Sequence, residues 1–151
     1  MIDMILKQIE ADHDNAVARL CQLLRIPSVS TDPAYRDQMQ SAASWIAAQC
    51  NELRLDTQVL PSEGPPVVVA RTRPDQVSNP TAPRILFYGH YDVQPPDPLE
   101  HWTTPPFEPT LRNGRIYARG AVDDKGQVMT FLEAIRAWQQ CSSKLPGPIT
   151  L

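Results

Sequence analysis

The chain has 151 residues, a net charge of −3 and 42% hydrophobic residues. This length and composition are sufficient for one compact domain with a hydrophobic core. The mild acidity gives no electrostatic reason to expect nucleic acid or an anionic membrane as a partner. No apolar run approaches the roughly 20 residues that span a bilayer. The N-terminus lacks the basic and apolar regions of a signal peptide, and we therefore expect a cytoplasmic location.

The cysteines and prolines bound the class of domain further. Cys21, Cys50 and Cys141 are widely spaced and form no CxxC motif, so they predict reduced thiols rather than a disulfide framework or a zinc knuckle. The 16 prolines occur in clusters between well-patterned apolar segments. This distribution indicates the loops of a folded domain and not a disordered chain.

Helical spacing of apolar residues predicts three helices. The first covers residues 2–25 and ends before Pro27, which cannot continue a helix. The second covers residues 34–53, because Pro33 suits a first helical turn and an apolar stripe follows it. The third covers residues 125–140. The run Asp12-His13-Asp14 lies on the polar face of the first helix, where we expect it to be solvated.

The segments between the helices have the character of strands. Short strands are predicted at residues 57–60, 67–71 and 115–117, and another begins at residue 149. The continuous apolar run 85–88 is typical of a strand buried on both faces. The mixture predicts an α/β fold, with a mostly parallel or mixed sheet flanked by helices. Ligands of such sheets bind beyond the carboxyl ends of strands, which directs attention to the loop after Tyr88.

That loop opens with Gly89-His90-Tyr91-Asp92. His90 and Asp92 are two residues apart, so their side chains point the same way if the strand geometry continues. A metal-binding imidazole normally donates its other ring N–H to a carboxylate or carbonyl, and Asp92 could accept that bond from His90. A hydrogen-bonded pair without a metal is the alternative for this pattern taken alone.

A second acidic motif, Asp123-Asp124, stands just before the third predicted helix. One interpretation is helix capping, with Asp124 as the N-cap and both acids favoured by the helix dipole. Capping does not explain the glycines on both sides, Gly120 and Gly126, which permit close approaches that a side chain would block. A carboxylate in such a setting could bridge two metal ions, which lie about 3.5–4 Å apart in two-metal hydrolases.

Taken together, the two motifs resemble metallopeptidase family twenty, the zinc exopeptidases that include glutamate carboxypeptidase, carnosine dipeptidase, acetylornithine deacetylase and succinyl-diaminopimelate desuccinylase. The matching residues occur in the family's order and spacing and cover essentially the whole chain: 25–30 (RIPSVS), 86–95 (LFYGHYDVQP), Trp102, Pro106-Phe107, Asn113-Gly114 and 119–126 (RGAVDDKG). Gln94-Pro95 and Tyr91 favour the dipeptidase-like branch over the small-molecule deacylases.

The resemblance implies a role for three residues. His90 would be a ligand of one zinc ion, and Asp123 would bridge two. Asp92 would be the active-site residue that orients His90. The peptide bond Asp123–Asp124 would be cis, as is common in the family. Zinc suits the His and Asp donors, and cobalt or manganese could replace it.

The resemblance also implies that residues 1–151 are a truncated, N-terminal part of the catalytic domain. Family members continue with a Glu-Glu pair that supplies the general base and a ligand, with further ligands, and with a separate lid domain that often dimerises. We expect this chain alone to be inactive. The complete enzyme would act on a peptide or an N-acyl amino acid and could form a homodimer.

Three functions remain open at this point. The first is a fragment of a dizinc peptidase or dipeptidase that cleaves an amide bond near a free carboxylate. The second is a fragment of an N-acyl amino acid deacylase, which shares the chemistry and differs in substrate. The third is a non-catalytic interaction module that retains the fold. A soluble, monomeric and cooperatively folded chain would favour the third.

Overall fold

The computed structural model describes all residues from Met1 to Leu151. It contains four α-helices: α1 (Ile2–Ala11), α2 (His13–Leu24), α3 (Arg36–Glu52) and α4 (Lys125–Cys141). The six strands are β1 (Asp56–Leu60), β2 (Val67–Arg71), β3 (Ile85–Leu86), β4 (Thr110–Arg112), β5 (Arg115–Tyr117) and β6 (Ile149–Thr150). Short 3₁₀-helices cover Pro33–Tyr35, Pro74–Gln76 and Leu99–His101.

The main sheet has four strands in the order β1-β2-β6-β3. β1 and β2 are antiparallel, β2 and β6 are antiparallel, and β6 and β3 are parallel. The sheet is therefore mixed, which confirms the predicted α/β class. Because β6 lies between β2 and β3, the segment that begins at Ile149 is an interior strand, as the sequence indicates.

Helices α3 and α4 supply the core that covers the sheet. Their buried apolar side chains form one cluster with residues from β2 and β6, including Ile46, Cys50, Leu132, Ala70 and Ile149. α1 and α2 pack against α4. None of the four helices has the combination of length and apolar character needed to cross a bilayer. All three cysteines are free, and Cys21 and Cys50 are buried, as predicted.

The single helix predicted over residues 2–25 is wrong in one respect. The structure has two helices, α1 and α2, with a break at Asp12. The Asp12 carboxylate accepts hydrogen bonds from Asn15 and Arg19, and Arg19 also contacts Glu133 of α4 at 2.7 Å. Through its ion pairs with Asp12 and Glu133, Arg19 links the break to α4.

The expectation that residues 85–88 form a strand buried on both faces is also wrong. β3 has two residues, pairs only with β6 and forms an edge of the sheet. Leu86 is 74% exposed and Ile85 is 54% exposed. An apolar run indicates a preference for burial but does not show which faces neighbouring elements cover.

The predicted strand 115–117 is present as β5, and the sequence analysis missed its partner, β4. The two strands form an antiparallel hairpin separated from the main sheet. Its turn is Asn113-Gly114, where both residues have positive φ angles, of 52° and 71°. This is the conformation that an Asn-Gly turn favours in two-residue hairpins, so the dipeptide was an available signal for β4.

Lys125, the first residue of α4, is completely buried. Its Nζ donates hydrogen bonds to Ile26 O at 2.7 Å and Leu23 O at 3.1 Å, which are carbonyls at the end of α2. Burial lowers the pKa of Lys125 from its ordinary value of 10.5 to about 7, although the charge of Asp92 opposes this shift. The lysine joins the end of α2 to the start of α4.

The depressed pKa of Lys125 predicts a pH dependence of stability. Between about pH 7 and 10.5 the unfolded chain binds the proton that the folded chain has released, so the free energy of unfolding rises with pH across this window. Lys125→Met should remove most of this rise, and Lys7→Met, at an exposed position, should retain it. Urea unfolding at several pH values measures both. An equal pH dependence in Lys125→Met and the unsubstituted chain would contradict the prediction.

Candidate metal centre

His90 lies in the loop after β3, and both nitrogens of its ring have partners. Nδ1 lies 3.0 Å from Asp92 Oδ1 and 3.1 Å from the Asp92 carbonyl oxygen. Nε2 lies 3.0 Å from Asp123 Oδ1. Two acceptors face Nδ1 and a carboxylate oxygen faces Nε2, so both ring nitrogens donate when the ring is protonated, and Asp92 holds the proton of the neutral ring on Nδ1.

The surroundings also set the protonation of His90. Burial disfavours the imidazolium, but the carbonyl and carboxylate of Asp92 and the carboxylate of Asp123 outweigh it, so the pKa of His90 is raised above its ordinary value. A metal ion competes with the proton for Nε2, so metal binding here should weaken as the pH falls.

Asp123 belongs to the loop between β5 and α4, and its side chain is 81% exposed. Two glycines shape this loop. Gly120 has a φ angle of +82° and packs on the aliphatic stem of Lys125. A side chain at Gly126 would collide with the carbonyl of Ala121. The loop therefore turns tightly and leaves the Asp123 carboxylate free on the side of His90. The Asp123–Asp124 peptide bond is cis, as the resemblance implies.

Asp124 occupies the N-cap position of α4, as the capping interpretation has it. Its side chain makes no cap hydrogen bond to the helix. Instead, Oδ2 accepts a hydrogen bond from the backbone N–H of His90 at 3.0 Å, across 34 residues of sequence. An acid at a helix start can serve either purpose, and the sequence does not distinguish a local donor from a distant one.

Gly89 explains how the two motifs come so close. A Cβ at this position would lie 2.7 Å from Val128 Cγ2, 3.1 Å from Asp124 Oδ2 and 3.1 Å from Phe87 Cε1. Any side chain here would push the His90 segment away from α4. The glycine is thus required by the contact between the two metal-site segments.

The sequence analysis missed two serines that hold the His90 loop. Ser28 Oγ donates to the carbonyl of Tyr91 at 2.6 Å, and Ser30 Oγ donates to Asp92 Oδ2 at 2.6 Å. Val93 N donates to Ser28 O at 2.9 Å, within a parallel bridge between Val29 and Val93. Both serines lie in the segment 25–30 quoted for the family resemblance, which was the available signal. Asp92 is therefore fixed between Ser30 and His90.

Two cavities reach the candidate site. One of about 450 Å³ is mainly apolar, includes His90 and Asp92 in its walls, and is also lined by Val67, Phe87 and Leu151. The other, of about 570 Å³, extends from Asp123 and is lined by Trp102, Arg112 and Arg119 among others. Arg119 stacks over Trp102 and donates to the carbonyl of Pro95. The metal-site carboxylates are thus accessible from open space.

The donor atoms fit the beginning of a zinc site. An imidazole nitrogen and a carboxylate oxygen are ordinary zinc ligands, and His90 Nε2 and Asp123 Oδ1 already face one another. Together they form a two-residue corner, and no group of three or more His, Cys, Asp or Glu side chains in the chain has a metal-binding arrangement. His13 is exposed, as expected, and His101 is also exposed and lines the cavity that extends from Asp123.

Comparison with known proteins identifies related sequences. Residues 86–151 match Peptidase family M20/M25/M40. Over 158 aligned residues the chain is 31% identical to the Cys-Gly metallodipeptidase dug1 of Schizosaccharomyces pombe, covering 96% of this chain and 32% of that protein. Over 57 residues it is 53% identical to the succinyl-diaminopimelate desuccinylase of Nitrosospira multiformis, covering 38% of this chain and 15% of that protein.

The solved structures give the same result for the fold. The crystal structure of human carnosine dipeptidase 1 superposes with a TM-score of 0.90 at 29% identity, covering 99% of this chain and 33% of that chain. The chain thus spans about a third of the length of these dipeptidases. The sequence matches and the shared α/β fold show that the chain is related to Peptidase family M20/M25/M40. This confirms the family resemblance of the two motifs.

Proposed function

We propose that this chain is the first metal-binding portion of a dizinc hydrolase that cleaves the amide bond of a dipeptide. One observation carries the proposal: His90 Nε2 faces Asp123 Oδ1 at 3.0 Å while Asp92 engages the opposite ring nitrogen. This is the arrangement of a metal-binding imidazole with its orienting carboxylate. The relation to metallodipeptidases supports a peptidase function for the protein that contains these residues.

Each of the three residues has a separate task in this proposal. His90 is a ligand through Nε2. Asp123 is a carboxylate that can bridge two ions, one with each oxygen. Asp92 acts through His90, because it holds the proton on Nδ1 and keeps the ring aimed at Asp123. Zinc held by these residues would supply Lewis acidity for polarising an amide carbonyl and activating water. Cobalt or manganese could take the same donors.

The number of ligands limits what this chain does alone. A catalytic zinc normally has three protein ligands and a water molecule. His90 and Asp123 supply two ligands, and no group of three or more metal-binding side chains is present in the chain. We therefore propose that residues 1–151 by themselves bind zinc weakly and have negligible hydrolase activity. The remaining ligands, the base and a lid would belong to the complete enzyme, which could be a homodimer in the cytoplasm.

The substrate class rests on the named relatives. The Cys-Gly metallodipeptidase and carnosine dipeptidase 1 favour a dipeptide. The desuccinylase match covers a shorter segment and favours an N-acyl amino acid as the second candidate. A non-catalytic module would need neither metal nor substrate, and the geometry of His90, Asp92 and Asp123 favours the metal-binding alternative.

Calorimetry with zinc tests the ligand count. We expect weak binding to residues 1–151, and no binding at this site in His90→Ala, because the variant lacks the nitrogen ligand. His13→Ala, at an exposed helical position, is the control and should bind as the unsubstituted chain does. Tight binding of two zinc ions to residues 1–151 would contradict the proposal that the site is incomplete.

Loss of the orienting carboxylate tests the role of Asp92. Asp92→Asn should lower the zinc affinity by roughly 10- to 100-fold, the usual effect of removing a residue that orients a metal-binding histidine. Asp97→Asn, in the same loop, changes a carboxylate that makes no contact with His90 and serves as the control. NMR titration of the His90 ring with zinc measures both affinities. Equal affinities for Asp92→Asn and the control would show that Asp92 has no such role.

A further inference from the structure

The adjacent acids at the start of α4 face different partners. The Asp123 carboxylate is largely exposed and meets His90 Nε2, whereas the Asp124 carboxylate is half-buried and meets the backbone N–H of the same residue. One residue of the pair thus contacts the ring of His90 and the next contacts its main chain. The residues that lead into α4 therefore contact both the side chain and the main chain of His90.

We infer that Asp124 is a positioning residue for His90: its carboxylate fixes the His90 main chain and so aims the imidazole at Asp123. This inference deepens the proposed function, since the aim of His90 matters for catalysis only if His90 binds a metal. The bond itself is a feature of the metal-free chain and can be tested without that assumption.

The chemistry of the bond suits this task. A carboxylate is a charged acceptor, and charge-assisted hydrogen bonds are roughly twice as strong as neutral ones. The Asp124 carboxylate stands where Gly89 leaves just enough room, because a Cβ on Gly89 would come within 3.1 Å of Asp124 Oδ2. The absence of a side chain at Gly89 therefore permits the carboxylate to reach His90 N.

Asp92 holds the ring of His90, whereas the hydrogen bond to Asp124 holds its main chain. Ser28 holds the Tyr91 carbonyl and Ser30 holds the Asp92 side chain, so both act on residues that follow His90. β3 ends at Leu86, before His90. The His90 N–H has Asp124 Oδ2 as its acceptor, and the bond comes from the segment that also carries Asp123. Its loss would free His90 to move relative to Asp123.

A purely structural role as a helix cap makes a different prediction. A cap residue bonds to the N–H groups of its own helix, and its removal exposes the first turn of that helix. Asp124 makes no such bond to α4. Removing its carboxylate should therefore affect the His90 amide and leave the amides of α4 unchanged.

Amide hydrogen exchange and NMR on the complete 151-residue chain test the inference. In Asp124→Ala we expect the His90 amide to exchange at least about tenfold faster, with α4 amides unchanged, because a free amide loses its protection. Asp124→Asn retains an acceptor oxygen and should restore most of the protection. Asp37→Ala, which removes an acid from the first turn of α3, is the matched control and should leave the His90 amide unaffected.

Two results would overturn the inference. One is an unchanged His90 amide in Asp124→Ala. The other is equal loss of protection in His90 and the first turn of α4, which would make Asp124 a helix-stabilising residue. If Asp124→Ala does not fold, Asp124→Asn decides: its weaker acceptor should move the His90 amide proton upfield and leave α4 shifts in place, and no movement contradicts the inference.

Zinc titration of the same variants separates this inference from the proposed function. Weaker binding in Asp124→Ala than in Asp37→Ala, together with the exchange result, supports both. A second result is possible: the His90 amide changes in Asp124→Ala, but the His90 ring does not respond to zinc in any variant. That result would support Asp124 as the positioning residue and would contradict the metal-binding function.

Discussion

The backbone at Gly89 passes so close to the start of α4 that one methyl group on it would lie 2.7 Å from Val128 Cγ2. This close approach is the constraint on which the site depends. It brings the His90 N–H to Asp124 Oδ2 and the His90 ring to Asp123. The two motifs are more than 30 residues apart in sequence and would otherwise have no reason to meet.

Contacts with the segment after α2 hold both the start of α4 and the His90 loop in place. Lys125 bonds to carbonyls at the end of α2, which fixes the start of α4 against the segment that leads to Ser28 and Ser30. That segment in turn holds the loop of His90 through hydrogen bonds to Tyr91 and Asp92. Three stretches of the chain therefore define the position of one imidazole. These contacts together lower the conformational freedom of the His90 side chain.

Local pattern was sufficient to predict α3, α4, β2 and β5, because apolar periodicity and chain breakers act within each segment. It failed where partners distant in sequence decide. The apolar stripe continues past Asp12 and gives no sign of the break between α1 and α2. The apolar run that contains Leu86 does not show that β3 is an edge strand with exposed side chains. At the site, His90, Asp92 and Asp123 were identifiable from motif and family resemblance, whereas the partners of Asp124 and Ser30 are tertiary and have no local signature.

Anomalous diffraction from zinc-soaked crystals of this chain tests the central claim most directly, namely that the fold already places His90 and Asp123 as a shared metal corner. The account predicts an anomalous peak at zinc-ligand distance, about 2.0–2.2 Å, from both His90 Nε2 and an Asp123 carboxylate oxygen, with Asp92 on Nδ1. A peak bound elsewhere, or a His90 ring turned away from Asp123 with Asp92 out of contact, would contradict it.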